Sequence, residues 1–167
     1  IEAIADFERT IGLNPSNYMA FIARGKVYLE QDMLEPAIDD LTKAVSLSDN
    51  QAVAFYLRGI AYFRLEKFDK AIDDFSKSIS IRPDHALAYN DRGSARWKAG
   101  DSHGAITDYQ QAVFLDPTMH FTFNNMGVVR MEAGFLQDAT EFFTTAIRLN
   151  PAYKQALNNR GIARLKL

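Results

Sequence analysis

Glycine returns every 34 residues along this chain, at Gly25, Gly59, Gly93, Gly127 and Gly161. Alanine keeps the same interval at Ala3, Ala37, Ala71, Ala105 and Ala139. Proline keeps it at Pro15, Pro83, Pro117 and Pro151, with Asp49 in the one gap. Three residue types on one period mark an internal repeat, and a repeat of this length is one supersecondary unit copied along the chain. A single such unit cannot bury its own apolar face, so the copies must stack on one another. The small residues belong where two helices cross closely, and the prolines belong where a helix has to stop.

Numbering each repeat from Tyr18, Ala52, Ala86, His120 and Lys154 brings out the rest of the pattern. Position 4 reads Phe21, Phe55, Tyr89, Phe123 and Leu157. Position 24 reads Phe7, Leu41, Phe75, Tyr109 and Phe143, and position 27 reads Thr10, Ala44, Ser78, Ala112 and Ala146. With Gly at position 8, Ala at position 20 and Pro at position 32, this resembles the tetratricopeptide repeat family across essentially the whole chain. The resemblance implies an all-α fold: an α-solenoid, a right-handed superhelix of antiparallel helical hairpins. Each hairpin would have an A helix on the concave side and a B helix on the convex side. The expected organisation is one continuous repeat domain. Residues 1–17 are the second helix of a partial repeat; 18–51, 52–85, 86–119 and 120–153 are full repeats; 154–167 are the first helix of another partial repeat. Ten helices and no strands follow. The chain begins with Ile, not Met, and the expectation is that it is part of something longer.

Two positions depart from the family pattern together. Position 7 is Arg24, Arg58, Arg92 and Arg160 but Met126 in the fourth full repeat; position 23 is Asp40, Asp74 and Asp108 but Phe142 in that same repeat. The joint switch predicts a half-buried Arg–Asp pair inside each of three hairpins, replaced by a Met–Phe contact in the fourth. A buried ion pair and an apolar swap can be close in energy. Position 11 also changes, from Tyr28 and Tyr62 to Arg96, Arg130 and Arg164.

The inner wall predicted from these registers has two characters. The first repeats offer apolar residues, with Met19, Ile22, Leu29, Val53, Tyr56, Ile60 and Phe63, and with Lys26 beside them. The later repeats offer asparagine: Asn90, Asn124 and Asn158 at position 5, then Asn125 and Asn159 at position 6. An asparagine amide both donates and accepts, so it can pair with the backbone of an extended peptide. In members of the family Asn at position 6 does this. The alternative is that these amides are solvated or cap local backbone. Trp97 could anchor a ligand or pack against the next repeat.

The expected function is therefore a protein–protein interaction scaffold. A peptide or partner segment would lie in the concave groove, meeting asparagines with its backbone and Ile22, Tyr56 and Phe63 with apolar side chains. Two alternatives stand beside it: a substrate-recruiting or regulatory arm of a larger enzyme, and a self-associating scaffold. The last A helix carries Leu157, Ile162, Leu165 and Leu167 without a B partner, and such uncapped apolar surface is expected to be covered by a second molecule or by further sequence.

Composition bounds the remaining classes. Nineteen Lys and Arg against 21 Asp and Glu give a net charge of −2, so there is no global attraction to nucleic acid. The A helices are nevertheless net positive and the B helices net negative. This predicts a modest preference for acidic partners, unless the two layers simply complement each other. There is no cysteine, which excludes disulfides and thiolate metal sites. His85, His103 and His120 lack metal-ligand spacing, and Ser76, Ser78 and Ser80 have no nearby base. No catalytic residue and no cofactor are expected, and no apolar run is long enough for membrane insertion. Together with the lack of a signal peptide, this gives a cytoplasmic expectation. One family mode is not matched. The clamp for chaperone C-terminal carboxylates needs Lys at position 5 and Asn at position 9, where this chain has Lys26, Ile60, Ser94, Val128 and Ile162.

Overall fold

The computed structural model describes residues 2–167, and among these it contains ten helices and no strand. They are α1 (Glu2–Leu13), α2 (Tyr18–Glu30), α3 (Leu34–Leu47), α4 (Ala52–Arg64), α5 (Phe68–Ile81), α6 (Ala86–Lys98), α7 (Ser102–Leu115), α8 (His120–Glu132), α9 (Leu136–Leu149) and α10 (Lys154–Leu165). The fold class is an all-α helical-repeat solenoid. Even-numbered helices are the A helices and odd-numbered ones the B helices. The chain forms two compact halves, one ending at Pro83 and one running from Asp84 to Leu167. Among the described residues no helix is long and apolar enough to cross a membrane.

Within each half the tightest packing joins the A and B helices of one hairpin: α2 with α3 and α4 with α5 in the first, α6 with α7 and α8 with α9 in the second. The reason is the position 8 glycine. A Cβ added at Gly25 would stand 2.9 Å from Leu41 Cγ, at Gly59 2.7 Å from the Phe75 ring, at Gly93 2.9 Å from the Tyr109 ring, and at Gly127 2.5 Å from the Phe143 ring. Position 24 is thus a ring or a leucine seated on a bare backbone. Ala37, Ala71, Ala105 and Ala139 at position 20 are fully buried in the same crossing.

The hairpin turns share a backbone feature that the period does not announce. Position 15 is left-handed in all four full repeats, with φ of 59° at Asp32, 58° at Glu66, 93° at Gly100 and 83° at Gly134. A residue with a Cβ is strained by roughly 1–2 kcal/mol there, whereas glycine is not. Glu66→Gly is therefore expected to raise stability by roughly 0.5–1 kcal/mol, after the extra entropy of the unfolded glycine is subtracted. Urea unfolding of the two proteins side by side checks this.

The turns between repeats use a second device. The residue before proline accepts a hydrogen bond from the backbone N–H two residues on: Asn14 from Ser16 at 3.1 Å, Asp116 from Thr118 at 2.9 Å and Asn150 from Ala152 at 3.2 Å. The side chain imitates a backbone turn where the chain has to leave the helix. At Asp116 the bonds from the Thr118 hydroxyl and N–H hold the carboxyl below its usual pKa.

In both halves A helices meet across successive repeats, α2 with α4, α6 with α8 and α8 with α10. Among the described residues the B helices of each half do not meet one another. The A helices therefore form the inner layer of each half, and their outward sides form its inner wall.

Candidate functional site

The two walls are held from behind by ion pairs. Arg24 donates to Asp40 through Nε and Nη2, both at 2.7 Å. Arg58 donates to Asp74 at 2.7 and 2.8 Å, and Arg92 to Asp108 at 2.9 and 2.7 Å. Each is a fork-to-fork pair in which a nearly buried carboxylate meets a planar guanidinium. The carboxylate hydrogen bonds raise the pKa of Arg24 and of Arg58 against the opposing cost of burial. In the fourth full repeat Met126 is buried, and Phe142 packs against the cluster that contains it. The Arg–Asp and Met–Phe exchange predicted from the joint switch is what the structure contains.

The position 11 switch has a structural reason in the same place. Tyr28 and Tyr62 lie beside the guanidinium groups of Arg24 and Arg58, each with Cζ 5.9 Å from the ring centroid. In the third full repeat Arg96 takes that place and donates to Asp108 at 2.9 Å, so one carboxylate serves two arginines. Tyr109 lies below, with burial pushing its phenol up to about 12 and its hydroxyl 3.1 Å from Ser94 Oγ.

In the second half the asparagines form a ladder between A helices. Asn125 Nδ2 donates to Asn90 Oδ1 at 3.3 Å, and Thr122 Oγ1 donates to the same oxygen at 2.9 Å. One repeat later Asn159 Nδ2 donates to Asn124 Oδ1 at 3.0 Å. A position 5 amide therefore accepts from the position 6 amide 35 residues on. Asn90 and Asn124 are buried, Asn125 and Asn159 half-buried, and Asn158 exposed. Asn90 and Asn124, expected on the inner wall, are instead packed between A helices, whereas Asn125, Asn158 and Asn159 stay at least partly open to solvent. Reading position 5 as wall was the error: position 5 lies where the next A helix crosses.

The first half distributes its predicted residues differently. Ile22 and Ile60 are half-buried against the core around Leu41 and Ala61. Tyr56 leans on Phe75 with centroids 5.8 Å apart, and Phe63 meets Phe68 edge-on at 5.6 Å. Leu29, expected on the wall, is a core residue at 5% exposure. Lys26 is exposed, with Nζ 3.9 Å from Glu30. The apolar residues left most open on these A helices are Met19 and Val53 at position 2. An open cleft of about 310 Å³ runs beside Met19, between Phe7, Ala20 and Ala23.

Trp97 is half-buried against the cluster of Met126 and Val129, and its Nε1 donates to Glu132 at 3.0 Å. Packing accounts for it. Leu87, which the sequence reading passed over, is exposed at position 2 of α6, in register with Met19 and Val53. Its period-34 relation to those two was the available signal. Among the described residues no group of His, Asp and Glu could hold a metal ion. His120 instead packs edge-on against Tyr153, with centroids 4.8 Å apart.

Family models for the tetratricopeptide repeat match residues 52–85 and 86–119. These residues are tetratricopeptide repeats. No curated protein sequence matches the chain. Among solved structures, this chain is similar to MamA from Desulfovibrio magneticus RS-1, with a TM-score of 0.86, 20% identity and coverage of 91% of this chain and 86% of that one. It is also similar to YrrB, described as a TPR protein with an unusual peptide-binding site: TM-score 0.80, 23% identity, coverage 95% and 82%. A third is the first TPR of Spaghetti (RPAP3) bound to the HSP90 peptide SRMEEVD, with a TM-score of 0.66, 24% identity and coverage of 68% and 90%. At these identities the likeness is one of fold.

Proposed function

We propose that this protein is a protein–protein interaction scaffold whose second half grips an extended peptide by its backbone. The asparagine ladder carries this reading. Each position 6 amide spends one N–H on the buried position 5 oxygen behind it, which fixes its plane. Its second N–H and its own Oδ1 are then left as a donor–acceptor pair, the complement of a peptide unit. Fixing the plane in advance lowers the entropy lost on binding. Asn125 and Asn159 are the gripping residues, Asn158 adds an exposed amide, and Asn90 and Asn124 position them.

Backbone pairing gives grip with little sequence preference. Selection of side chains falls to apolar surface on the same wall, at Leu87; the first half has apolar surface of its own at Met19, Val53 and the cleft beside Phe7. The positive balance of the A helices favours acidic segments. Peptide recognition in the neighbours supports the class of ligand, with a peptide bound to the Spaghetti repeat and a peptide-binding site described for YrrB.

The test uses peptides selected on the wild-type protein from a random display library. They are titrated against wild type and the double variant Asn125→Ala, Asn159→Ala. Two hydrogen bonds at about 1 kcal/mol each predict a loss of affinity of about tenfold or more. Thermal melts alongside are expected to show a small loss, because Asn90 Oδ1 keeps its bond from Thr122. Unchanged affinity rejects the asparagine grip.

A further inference from the structure

A separate arginine, away from the asparagine ladder, lacks the partner that its counterpart has. In the α6–α7 hairpin, Arg96 at position 11 donates to Asp108 Oδ2 at 2.9 Å. In the α8–α9 hairpin the same position is Arg130, but the residue equivalent to Asp108 is Phe142. The exchange that removed the Arg–Asp pair thus also removed the carboxylate of a third residue. Arg130 Nε is buried and has no hydrogen-bond partner. The nearest acid, Asp138, keeps its Oδ2 4.0 Å away and is itself half-exposed. The guanidinium rests on the Phe135 ring at 5.4 Å, which holds it in place without satisfying it.

Arg130 borders a cavity of about 360 Å³. Ile106 and Phe135 form apolar walls, while His103, Thr107 and Gln110 on α7 bring polar groups. No acidic side chain is among the described residues that line it. The volume lies at the small end of the range for ligand sites. The buried Nε–H, without a hydrogen-bond partner, costs free energy that a ligand can recover.

We propose that this cavity binds a carboxylate of a partner polypeptide, with Arg130 as its cation. A carboxylate, not a phosphate, is the fitting group for two reasons. One permanent cation stands there beside hydroxyl, amide and imidazole groups, and the corresponding arginine one repeat earlier already holds a carboxylate. The apolar walls take the methylene stem. The site lies on the α7 side of the α8–α9 hairpin and does not depend on the asparagine grip, so either reading can fail alone.

The experiment follows the Arg130 Nε–H and the Ala133 and Gly134 amides by nitrogen-15 NMR during titration with N-acetylglutamate amide. Saturable shifts in the millimolar range are expected. N-acetylglutamine amide, which lacks the charge, should bind about tenfold more weakly or less well still. N-acetylleucine serves as the arm for a chain terminus, and the tighter of the two carboxylates names the source. Absence of saturable shifts, equal binding of the glutamine probe, or equal binding of inorganic phosphate overturns the proposal. Two variants place the site. Arg130→Met should abolish the shifts. Met126→Arg with Phe142→Asp reinstates the pairing of the other hairpins, supplies Arg130 with an internal carboxylate, and should likewise abolish binding in a folded protein. Wild-type affinity in this double variant sinks the proposal even if Arg130→Met does not fold. Asn125→Ala with Asn159→Ala should leave the titration unchanged, and a loss of the shifts there would also overturn it.

Discussion

Asp108→Ala is expected to lower stability by about 3–5 kcal/mol, the usual cost of removing one partner of a buried pair. Asp108 is 3% exposed and answers two guanidinium groups, Arg92 and Arg96, with three hydrogen bonds of 2.7–2.9 Å. Arg92 is itself only 14% exposed, so its charge cannot turn to water without opening the hairpin. The paired exchange Arg92→Met with Asp108→Phe removes the Arg92–Asp108 pair from both sides and leaves only the more exposed Arg96 (27%) to turn to water. It copies the Met126–Phe142 arrangement of the next hairpin, and an apolar replacement of a buried pair is often neutral or stabilising. The double variant is therefore expected to regain most of what Asp108→Ala loses. Urea unfolding together with hydrogen exchange across α6 and α7 measures both, the second because repeat proteins open locally. Similar losses in the single and double variants would show that the carboxylate has a role beyond its charge, which the geometry does not support.

The second large effect concerns the crossing of α4 and α5. Phe75→Ala is expected to cost about 3–5 kcal/mol, since the ring is 1% exposed and its removal leaves a cavity against a bare glycine. Gly59→Ala is expected to cost about 1–3 kcal/mol by overpacking, because the new methyl would stand 2.7 Å from that ring. In the Phe75→Ala background the sign should reverse. The methyl then enters vacated space, and alanine gains about 1 kcal/mol of helix propensity over glycine. The double variant should thus be more stable than Phe75→Ala alone. A double-mutant cycle by denaturant unfolding reads the coupling directly. Additive losses would show that Gly59 is required for some reason other than room for Phe75.

The repeat, its helices and the ion pairs were all legible in the sequence, each for a reason of spacing. A 34-residue period repeats every local decision several times, so a substitution at one position shows against the others. The joint switch at positions 7 and 23 revealed Arg58 with Asp74, and Met126 with Phe142, because both sides of a contact must change together. The walls were harder to read. Asn90 and Asn125 are adjacent in register, yet one is buried under the next A helix and the other faces outwards. Leu29 and Phe63 occupy the same position 12, yet Leu29 belongs to the core and Phe63 leans edge-on against Phe68.

The sequence by itself determined that this chain is an all-α repeat, where its hairpins lie and which charges pair inside them. Those features depend on residues within one 34-residue unit, whose geometry the period dictates. Only the tertiary structure decided which asparagines are buried and which stay partly open to solvent, because that depends on where the next A helix crosses. It also decided that Arg130 Nε has no hydrogen-bond partner. The residue that would have supplied one is twelve positions on, at Phe142, on another helix, and the loss becomes visible only when the two hairpins are compared atom by atom.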